Sequence, residues 1–461
     1  MKASRFKTPQ GTSLPRTRKH LNADALFDQI RNQFRQVKDP RTGNVGISLT
    51  DVLMSGFAMF SLKDPSLLAF DERRQQGDPN LTTVYGIERA PCDTQMRDIL
   101  DEVDPGLLRP AFKRVFSQLQ RGKVLEQMRF LDRYYLLSGD GTGYYYSTKI
   151  GNEICLQKKP SGSTTTVYHQ QFYGAALVHP DFREVIPFCP EPIVKQDGKT
   201  KNDCERLAAR RFLTNLRKDH PHLPVVLVED ALHSNAPHIR DLQAHNIRFI
   251  LGAKENDHQY LFDKVYEEEA AGRGTNITID DPLDPKKRHN YFFVNGVPLN
   301  KSNPDMLVNF LEYWEITLDD DGNEIPSKEK HFGWVTDLEI SADNVHDIMC
   351  AGRARWKIEN EVFNTLKNQG YHLDHNFGLG KKHLSLVFMT LTMLAFMVDQ
   401  TLQLCCGLFR SALAKAQSKR AFWEAMRSIF HWFEIDSMET LLKQMASGKK
   451  ATINSSWLPE K

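Results

Sequence analysis

The apolar residues of the first 120 positions recur at helical spacing. Leu26, Ile30 and Phe34 lie four residues apart, and similar spacing returns between residues 96 and 119. The pairs Asp39-Pro40, Asp64-Pro65 and Asp78-Pro79 interrupt these runs, because a residue that precedes proline is disfavoured in the α region. The pattern predicts a helical domain over residues 23–130.

From about residue 131 the apolar residues instead form short continuous runs. Such runs suit strands buried on both faces of a sheet, and they lie at residues 134–137, 172–178, 225–228 and 249–251. The run before Asp230, a helix over 236–245 and a second run at 248–252 have the order of a βαβ unit with parallel strands. Asn202 and Glu205, three residues apart, predict the start of another helix. This half of the chain is therefore predicted to be α/β.

Residues 263–340 interrupt the α/β pattern with acidic clusters and strand-like alternation. Two alternating segments, 315–318 and 332–336, flank the polar run at 319–323, which predicts a hairpin. A calcium loop is disfavoured there, because the glutamate expected at its twelfth position and the flanking helices are missing. We expect a β-rich insertion, followed by helix through residue 367 and further helices to about residue 445.

The charge is informative only when it is examined by segment. The chain has 461 residues with 60 Lys and Arg against 58 Asp and Glu, and a net charge of +2 does not indicate a nucleic-acid partner. Local basic surpluses occur in residues 1–23, 195–218 and 381–420. They are either solvated surfaces or contacts to a DNA backbone. We expect the basic arm, residues 1–22, to be disordered until it binds.

Several classes of protein and site are excluded. Seven cysteines without a C-x-x-C pair indicate reduced thiols and a cytoplasmic protein rather than a disulfide framework. The longest apolar stretch, 384–398, falls short of the roughly 18–20 residues that a membrane-spanning helix needs, so we expect a buried core helix and no membrane partner. The histidine pairs His233/His238 and His372/His375 lack a third zinc ligand at a useful spacing.

Two aspartates occupy positions suited to chemistry. Asp140 lies on a predicted strand between Gly139 and Gly141, which indicates either a strand bulge or a place where something large approaches. Asp230 follows a buried parallel strand, where open α/β sheets place their ligands. The alternative for Asp230 is that it only caps the next helix.

A third acidic candidate lies after residue 354. On an α-helix Arg355 and Glu359 lie about 40° apart, whereas Glu361 lies about 160° from Glu359. Only one of the two glutamates can therefore share a site with Arg355. Taken alone, Arg355 and Glu359 also fit an exposed i,i+4 ion pair.

This segment resembles the third catalytic motif of DDE transposases from prokaryotic insertion sequences. The group has a tyrosine-arginine-glutamate-lysine pattern, and the matching residues here are Arg355, Trp356, Ile358, Glu359, Phe363 and Lys367. Residues 335–338 resemble the strand that leads from the group's inserted β-domain into this helix. Gly352 stands where the group has tyrosine, and Lys367 comes one residue late. That shift leaves Glu361 as a minor alternative to Glu359.

The resemblance, which covers about residues 90–385, implies a ribonuclease-H-like core and a metal-dependent reaction. Asp140, Asp230 and Glu359 would be the catalytic residues and the ligands of two Mg²⁺ ions, with Mn²⁺ as a substitute. The implied reaction is hydrolytic cleavage at the element ends and joining of the 3′-hydroxyl ends to target DNA. Hairpin intermediates occur in related transposases, and the sequence does not decide whether one forms here.

The resemblance also implies the partners. They are double-stranded DNA, comprising inverted-repeat ends and target, and a second copy of the chain when bound to DNA, in the cytoplasm at the nucleoid. The predicted DNA contacts are Arg355, Lys367, Trp334, Trp314, Lys381 and Lys382. One tryptophan of the insertion would stack on a flipped base, and core packing is the alternative for both.

Pattern and resemblance together predict an α/β fold with a ribonuclease-H-like core interrupted by a β-rich insertion, between a helical N-terminal domain and a helical C-terminal part. The predicted segments are the arm 1–22, the helical DNA-binding domain 23–130, the core 131–262 with 341–385, the insertion 263–340 and the C-terminal helices 386–461. Two rival functions remain, a catalytically inactive DNA-binding remnant and a stand-alone nuclease.

Overall fold

The chain forms two compact units. The computed structural model describes residues 18–43, 45–159, 162, 164–194 and 201–448. We call Met1–Val124 with Thr365–Lys461 the helical unit, and Leu125–Asn364 the sheet unit. Most of the predicted basic arm, residues 1–17, lies outside the described residues.

The N-terminal part of the helical unit contains six helices, as the apolar spacing predicts. They are α1 (Ala23–Phe34), α2 (Leu49–Leu62), α3 (Leu67–Gln75), α4 (Asn80–Thr83), α5 (Asp93–Asp101) and α6 (Arg109–Arg121). Side-chain caps fix several of their starts: Asn22 accepts the N–H of Ala25 at 2.8 Å, and Ser48 accepts that of Asp51 at 3.0 Å. Leu26, Ile30 and Phe34 are buried in the core of this unit.

Twelve described strands of the sheet unit form one mixed sheet. They are β1 (Arg129–Phe130), β2 (Tyr134–Ser147), β3 (Leu156–Lys158), β4 (Val167–His179), β5 (Phe182–Pro187), β6 (Glu191–Ile193), β7 (Val225–Glu229), β8 (Arg248–Ala253), β9 (Thr275–Asp280), β10 (Lys287–Asn300), β11 (Asn303–Thr317) and β12 (Lys330–Thr336). The main order is β3-β4-β2-β7-β8-β12-β11-β10-β9. This mixed α/β architecture agrees with the predicted fold class.

The predicted βαβ unit is present at the centre of the sheet. Strand β7 pairs in parallel with β2 on one side and with β8 on the other. Helix α7 (Lys201–Asp219) precedes β7, and α8 (Ala236–Ala244) connects β7 to β8. All five residues of β7 are buried, which explains the continuous apolar run of the first four, Val225 to Val228.

The insertion extends this same sheet. Strand β12 pairs antiparallel with β8, and β11, β10 and β9 follow outward. The predicted hairpin joins β11 to β12, and the Asp319 carboxylate accepts the N–H groups of Asp321 and Asn323 as in a turn. The long β10–β11 hairpin was not predicted, and α9 (Gln259–Ala270) crosses the predicted boundary at residue 263.

The segment after residue 343 is not the uninterrupted α-helix that the pattern predicts. Helix α10 (Val345–Ala354) ends, a π-helical turn spans Ile358–Phe363, and α11 (Asn364–Asn368) follows. Ile358, Val362 and Phe363 are buried in the sheet unit. The ring of Phe363 fills the space above Gly174 on β4, where a Cβ would lie 2.8 Å from it. This packing holds the irregular turn against the sheet.

The C-terminal part of the helical unit is built around one long apolar helix. The elements are α12 (Leu384–Cys405), α13 (Gly407–Lys415), α14 (Lys419–Trp432) and α15 (Met438–Ser447). By length and composition α12 alone among the described helices could cross a membrane, and its apolar window is entirely buried inside the protein. It extends beyond the predicted apolar stretch 384–398 and includes Asp399, which forms a buried ion pair with Lys63 and accepts a hydrogen bond from Tyr371.

Candidate active site

Asp140 lies in the middle of β2, where the backbone is closely approached by other side chains. A Cβ at Gly139 would lie 1.8 Å from the Tyr173 hydroxyl, and a Cβ at Gly141 would lie 2.6 Å from the Glu205 carboxylate. The glycines therefore make room for the protein's own side chains. Because side chains alternate along a strand, Asp140 points to the opposite face of the sheet from these two positions.

Arg355 and Glu359 lie on the Asp140 face. Ser138, two residues before Asp140, donates a hydrogen bond of 3.0 Å to the Arg355 carbonyl, which ties the end of α10 to β2. The Arg355 guanidinium lies 3.7 Å from the Asp140 carboxylate and 2.7 Å from that of Glu359. The structure thus brings these three predicted residues together.

Glu361, the alternative to Glu359, has a different partner. Its carboxylate lies 3.6 Å from the guanidinium of Arg183 on β5. Glu359 bonds to Arg355 and remains about half exposed, with 48% of its side-chain surface accessible. The two glutamates therefore diverge, and Glu359 is the one directed toward Asp140.

Asp230 follows β7 at the carboxyl end of the strand. Its Oδ1 accepts the N–H of Leu232 at 3.0 Å, so Asp230 does cap a short helical turn, as the alternative interpretation held. The same oxygen lies 3.2 Å from Nδ1 of His233. The side chain is nevertheless 47% exposed, and its charge is felt at both Asp140 and Arg355. Asp230 can therefore cap this turn and also belong to the candidate site.

A buried polar network supports Asp230 from the other face of the sheet. Glu229 is fully buried, and its carboxylate accepts hydrogen bonds from the Tyr173 hydroxyl at 2.5 Å and from Nε2 of His238 at 2.6 Å. His233 is also buried, with Nε2 at 3.8 Å from Glu229 and Nδ1 at Asp230. His233 and His238 both serve as partners of carboxylates.

The pKa values show an uneven charge balance. Burial, and then the negative charges of Glu205 and Asp230, raise the pKa of Asp140 to about 7 despite the nearby Arg355. Burial alone would lower the pKa of His233, but Glu229 and Asp230 raise it to about 9. Burial also opposes ionisation of Asp230, yet the contact with His233 lowers its pKa overall. Negative charge at Asp140 is therefore the least compensated in the site.

The donor set fits a divalent cation by its chemistry. Asp140, Asp230 and Glu359 offer carboxylate oxygens, the ligand type that Mg²⁺ prefers, and the raised pKa of Asp140 indicates charge that a cation would neutralise. Among the described residues, however, no three His, Cys, Asp or Glu side chains are close enough to form a metal cluster. The Arg355 guanidinium lies between two of the carboxylates instead.

The predicted tryptophan contacts differ in accessibility. Trp334 is 5% exposed and packs on Phe332 and on Gly352, where a Cβ would lie 2.6 Å from the indole ring. This position corresponds to the core alternative, and it gives a physical reason for the glycine at 352. Trp314 is partly exposed, and its ring stacks on His331 at 5.0 Å between centroids.

The predicted lysine contacts lie in the helical unit. Lys367 is 3.6 Å from Asp374, and Lys382 is 2.6 Å from Glu102. The backbone N–H groups of Lys381 and Lys382 donate to Asp101, which caps the start of α12. Both lysines at 381–382 are exposed. The basic surplus at 195–218 falls partly on residues 195–200, outside the described part of the chain.

Comparison with protein families decides what kind of domain holds these residues. Residues 168–397 match the family described as Transposase DDE domain. This segment is a transposase DDE domain. The matched range includes Asp230, Arg355 and Glu359, whereas Asp140 precedes it. No curated protein matches the chain. A transposase DDE domain implies a transposase, with catalysis, DNA binding and divalent metals as the family's general properties.

Sequence reasoning missed four residues of this transposase domain's site or its support. Glu205 was taken only as part of a helix start, and Tyr173, Glu229 and His233 received no role. Gly139 and Gly141 were the available signal, because paired glycines on a buried strand require something to fill the space beside them. Which residues fill it depends on tertiary packing of α7 and β4.

Proposed function

We propose that the chain is the transposase of a prokaryotic insertion sequence, in the group with a tyrosine-arginine-glutamate-lysine third motif. It binds the inverted-repeat ends of its element, cleaves them by metal-dependent hydrolysis and joins the 3′-hydroxyl ends to target DNA. The observation that carries this proposal is the arrangement of Asp140, Arg355 and Glu359, with Asp230 after the adjacent strand. Asp230, Arg355 and Glu359 belong to the matched transposase DDE domain, and Asp140 lies before it in the sequence.

Asp140, Asp230 and Glu359 would hold two Mg²⁺ or Mn²⁺ ions. Bound there, such ions activate an attacking oxygen and stabilise the charge on the leaving 3′-oxygen. The raised pKa of Asp140 supports this assignment, because the local surplus of negative charge is what a cation would relieve. The sheet supplies rigid placement, since Asp140 and Asp230 lie on or at the end of paired central strands.

In this proposal Arg355 contacts a phosphate group of the DNA. In the DNA-free protein its guanidinium is held by Asp140 and Glu359. With a cation bound at these carboxylates, the guanidinium would be available to pair with a phosphate oxygen, for which its planar fork is well suited. Arg355 therefore exchanges one anionic partner for another between the resting and DNA-bound states.

The π-turn offers a reason for the late position of Lys367. A π-turn takes up one residue more than an α-turn, and such turns are frequent at functional sites. The extra residue in the sequence falls between Glu359 and Lys367, across the segment Ile358–Phe363 where the turn lies. We propose that Lys367 keeps the DNA-contacting role of the group's lysine.

Further DNA contacts would come from exposed basic residues, including Lys381 and Lys382, and from the partly exposed Trp314. Backbone contacts of this kind supply affinity without sequence information. By resemblance to the group, we place the reaction on a DNA-bound homodimer in the cytoplasm, at the nucleoid.

The inactive-remnant alternative loses its main support. The hypothesis of an inactive remnant was based on Gly352, which stands where the group has tyrosine. The indole of Trp334 occupies the space beside that glycine. A bulky residue at 352 would displace the Trp334 ring. The glycine that replaces the group's tyrosine is therefore matched to the local packing of Trp334.

Incubation of the full chain with an end fragment and a target plasmid tests the proposal. We expect nicking that depends on Mg²⁺ or Mn²⁺, and joined products that contain both DNAs. Nicking without joining would indicate a stand-alone nuclease. Binding of the end fragment with neither product would indicate an inactive remnant.

A further inference from the structure

His233 connects a buried charge network to an exposed carboxylate of the site. Its side chain is 2% exposed, and Nδ1 lies 3.2 Å from Oδ1 of Asp230. A ring nitrogen can donate to a carboxylate only when it carries a proton, so this contact assigns a proton to Nδ1. The other nitrogen, Nε2, is buried, makes no hydrogen bond among the described residues, and faces Glu229 at 3.8 Å.

The contacts of Asp230 divide its two oxygens. Oδ1 receives both the Leu232 N–H and the His233 imidazole. No described residue donates a hydrogen bond to Oδ2, although 47% of the side chain is exposed. One oxygen is thus fixed inside the protein while the other remains available to an external ligand.

The position of His233 is itself fixed. Glu229, buried behind it, accepts hydrogen bonds from Tyr173 on β4 and from His238 on α8, so two further elements hold this carboxylate. His233 lies between this carboxylate and that of Asp230, with Nε2 3.8 Å from Glu229 and Nδ1 3.2 Å from Asp230. The network therefore transmits the rigidity of the sheet to a side chain at its edge.

We propose that His233 is a positioning residue, which fixes Oδ1 of Asp230 so that Oδ2 points outward to bind a divalent cation. Supporting partners of this kind orient metal ligands, and their loss typically costs about 10- to 100-fold in metal affinity or activity. The inference rests on the proposed function only for the identity of the cation site. It extends that function by one residue that does not touch DNA or metal.

The test measures Mn²⁺ affinity and end cleavage for the full chain and three variants. His233→Leu removes the contact, and His233→Asn restores an amide donor near the position of Nδ1. His289→Leu is the matched control, because His289 is also buried in the sheet unit and lies 3.1 Å from a carboxylate, that of Asp281. Thermal unfolding of each variant reports the cost in stability.

We expect His233→Leu to weaken Mn²⁺ binding, and to raise the Mn²⁺ concentration for half-maximal nicking, by about 10- to 100-fold. His233→Asn should recover most of the loss, and His289→Leu should lower stability without changing Mn²⁺ affinity. If His233→Leu fails to fold, His233→Gln takes its place, since its amide reaches the Nε2 position and should not rescue.

Wild-type Mn²⁺ affinity in His233→Leu or His233→Gln would overturn the inference, as would equal losses in His289→Leu. Absence of Mn²⁺ binding by the unaltered chain would overturn it too. If the unaltered chain binds Mn²⁺ but cleaves no DNA, the proposed function fails while the affinities still decide the role of His233.

Discussion

Two carboxylates of the sheet unit have opposite electrostatic surroundings. Glu315, in the insertion, accepts from Lys330 at 2.6 Å and from Arg353 at 2.7 Å. Burial opposes its ionisation, but these two cations lower its pKa to about 2. Asp140, in the core of the sheet, has Arg355 at 3.7 Å and further carboxylates nearby, and its pKa is raised to about 7.

We interpret the difference as one between a structural charge, Glu315, and the proposed functional charge, Asp140. Two cations within the protein neutralise Glu315, so its contacts need nothing from outside. Among the described residues, Asp140 has Arg355 as its cationic neighbour, which it shares with Glu359, and it faces the added negative charges of Glu205 and Asp230. A cluster that the protein leaves underneutralised is stabilised by an external cation, which is what a metal-dependent nuclease reaction requires.

We expect the largest change in activity when one of the two glutamates of the π-turn, Glu359, is substituted. Glu359→Gln should lower metal-dependent cleavage by about 1,000-fold or more, since metal ions supply several kcal/mol of transition-state stabilisation. Glu361→Gln, which loses its contact with the exposed Arg183 and its attraction to Lys357, should retain activity within a few-fold. Single-turnover nicking measures both, and a larger loss in Glu361→Gln would reverse the assignment.

Removing the charge should have opposite effects on stability at Asp140 and Glu315. A carboxyl group whose pKa is raised in the folded state makes the protein less stable as the pH rises from about 4 to about 7, so Asp140→Asn should stabilise the metal-free protein at pH 8 by up to about 4 kcal/mol. That gain should vanish below pH 4, where both side chains are neutral.

Glu315→Gln should instead destabilise the protein at pH 8. A carboxyl group whose pKa is lowered in the folded state stabilises the protein at pH values above its unfolded-state pKa. That stabilisation is lost as the pH falls toward 2. Urea unfolding in the presence of a chelator, between pH 4 and pH 8, measures the free energy of unfolding of both variants and tests both predictions. Destabilisation by Asp140→Asn at pH 8 would mean that its charge is compensated.

A smaller effect is expected where α10 meets the insertion. Gly352→Ala places a methyl group 2.6 Å from the buried Trp334 ring and should destabilise the protein by about 1–2 kcal/mol. Adding Trp334→Phe, which shortens that ring, should recover part of the loss. Additive destabilisation by the two changes would show that the residues are not coupled.

The smallest effect concerns the competition between Arg355 and the cation. Arg355→Gln removes a positive charge from between Asp140 and Glu359, so Mn²⁺ should bind the DNA-free protein about 3- to 5-fold more tightly. Calorimetric titration measures this change. Weaker Mn²⁺ binding would mean that Arg355 orders the carboxylates instead of competing for them.

The regular elements could be predicted from the sequence because their patterns are local. The buried run before Asp230 and the helix after it appear almost within the expected bounds, as β7 and α8. Their parallel pairing follows from the crossover rule, and so does the position of Asp230 at the edge of the sheet.

The features that escaped prediction depend on contacts between distant residues. A π-turn has no apolar periodicity of its own, and here Phe363 is anchored over Gly174 on a strand far away in the sequence. The packing of Trp334 on β12 against Gly352 on α10 likewise becomes apparent only when this strand and this helix are brought together. Glu205 looked like a helix cap, because nothing local indicates that its carboxylate lies above Gly141.

Nicking of an end fragment by Asp140→Ala tests the central claim most directly, with Mg²⁺ present and DNA binding measured in parallel. We predict that the unaltered chain nicks the fragment, and that Asp140→Ala binds it with similar affinity but produces no nicked strand. Persistent Mg²⁺-dependent nicking by Asp140→Ala would contradict the assignment of Asp140 as a metal ligand, and with it the proposed active site.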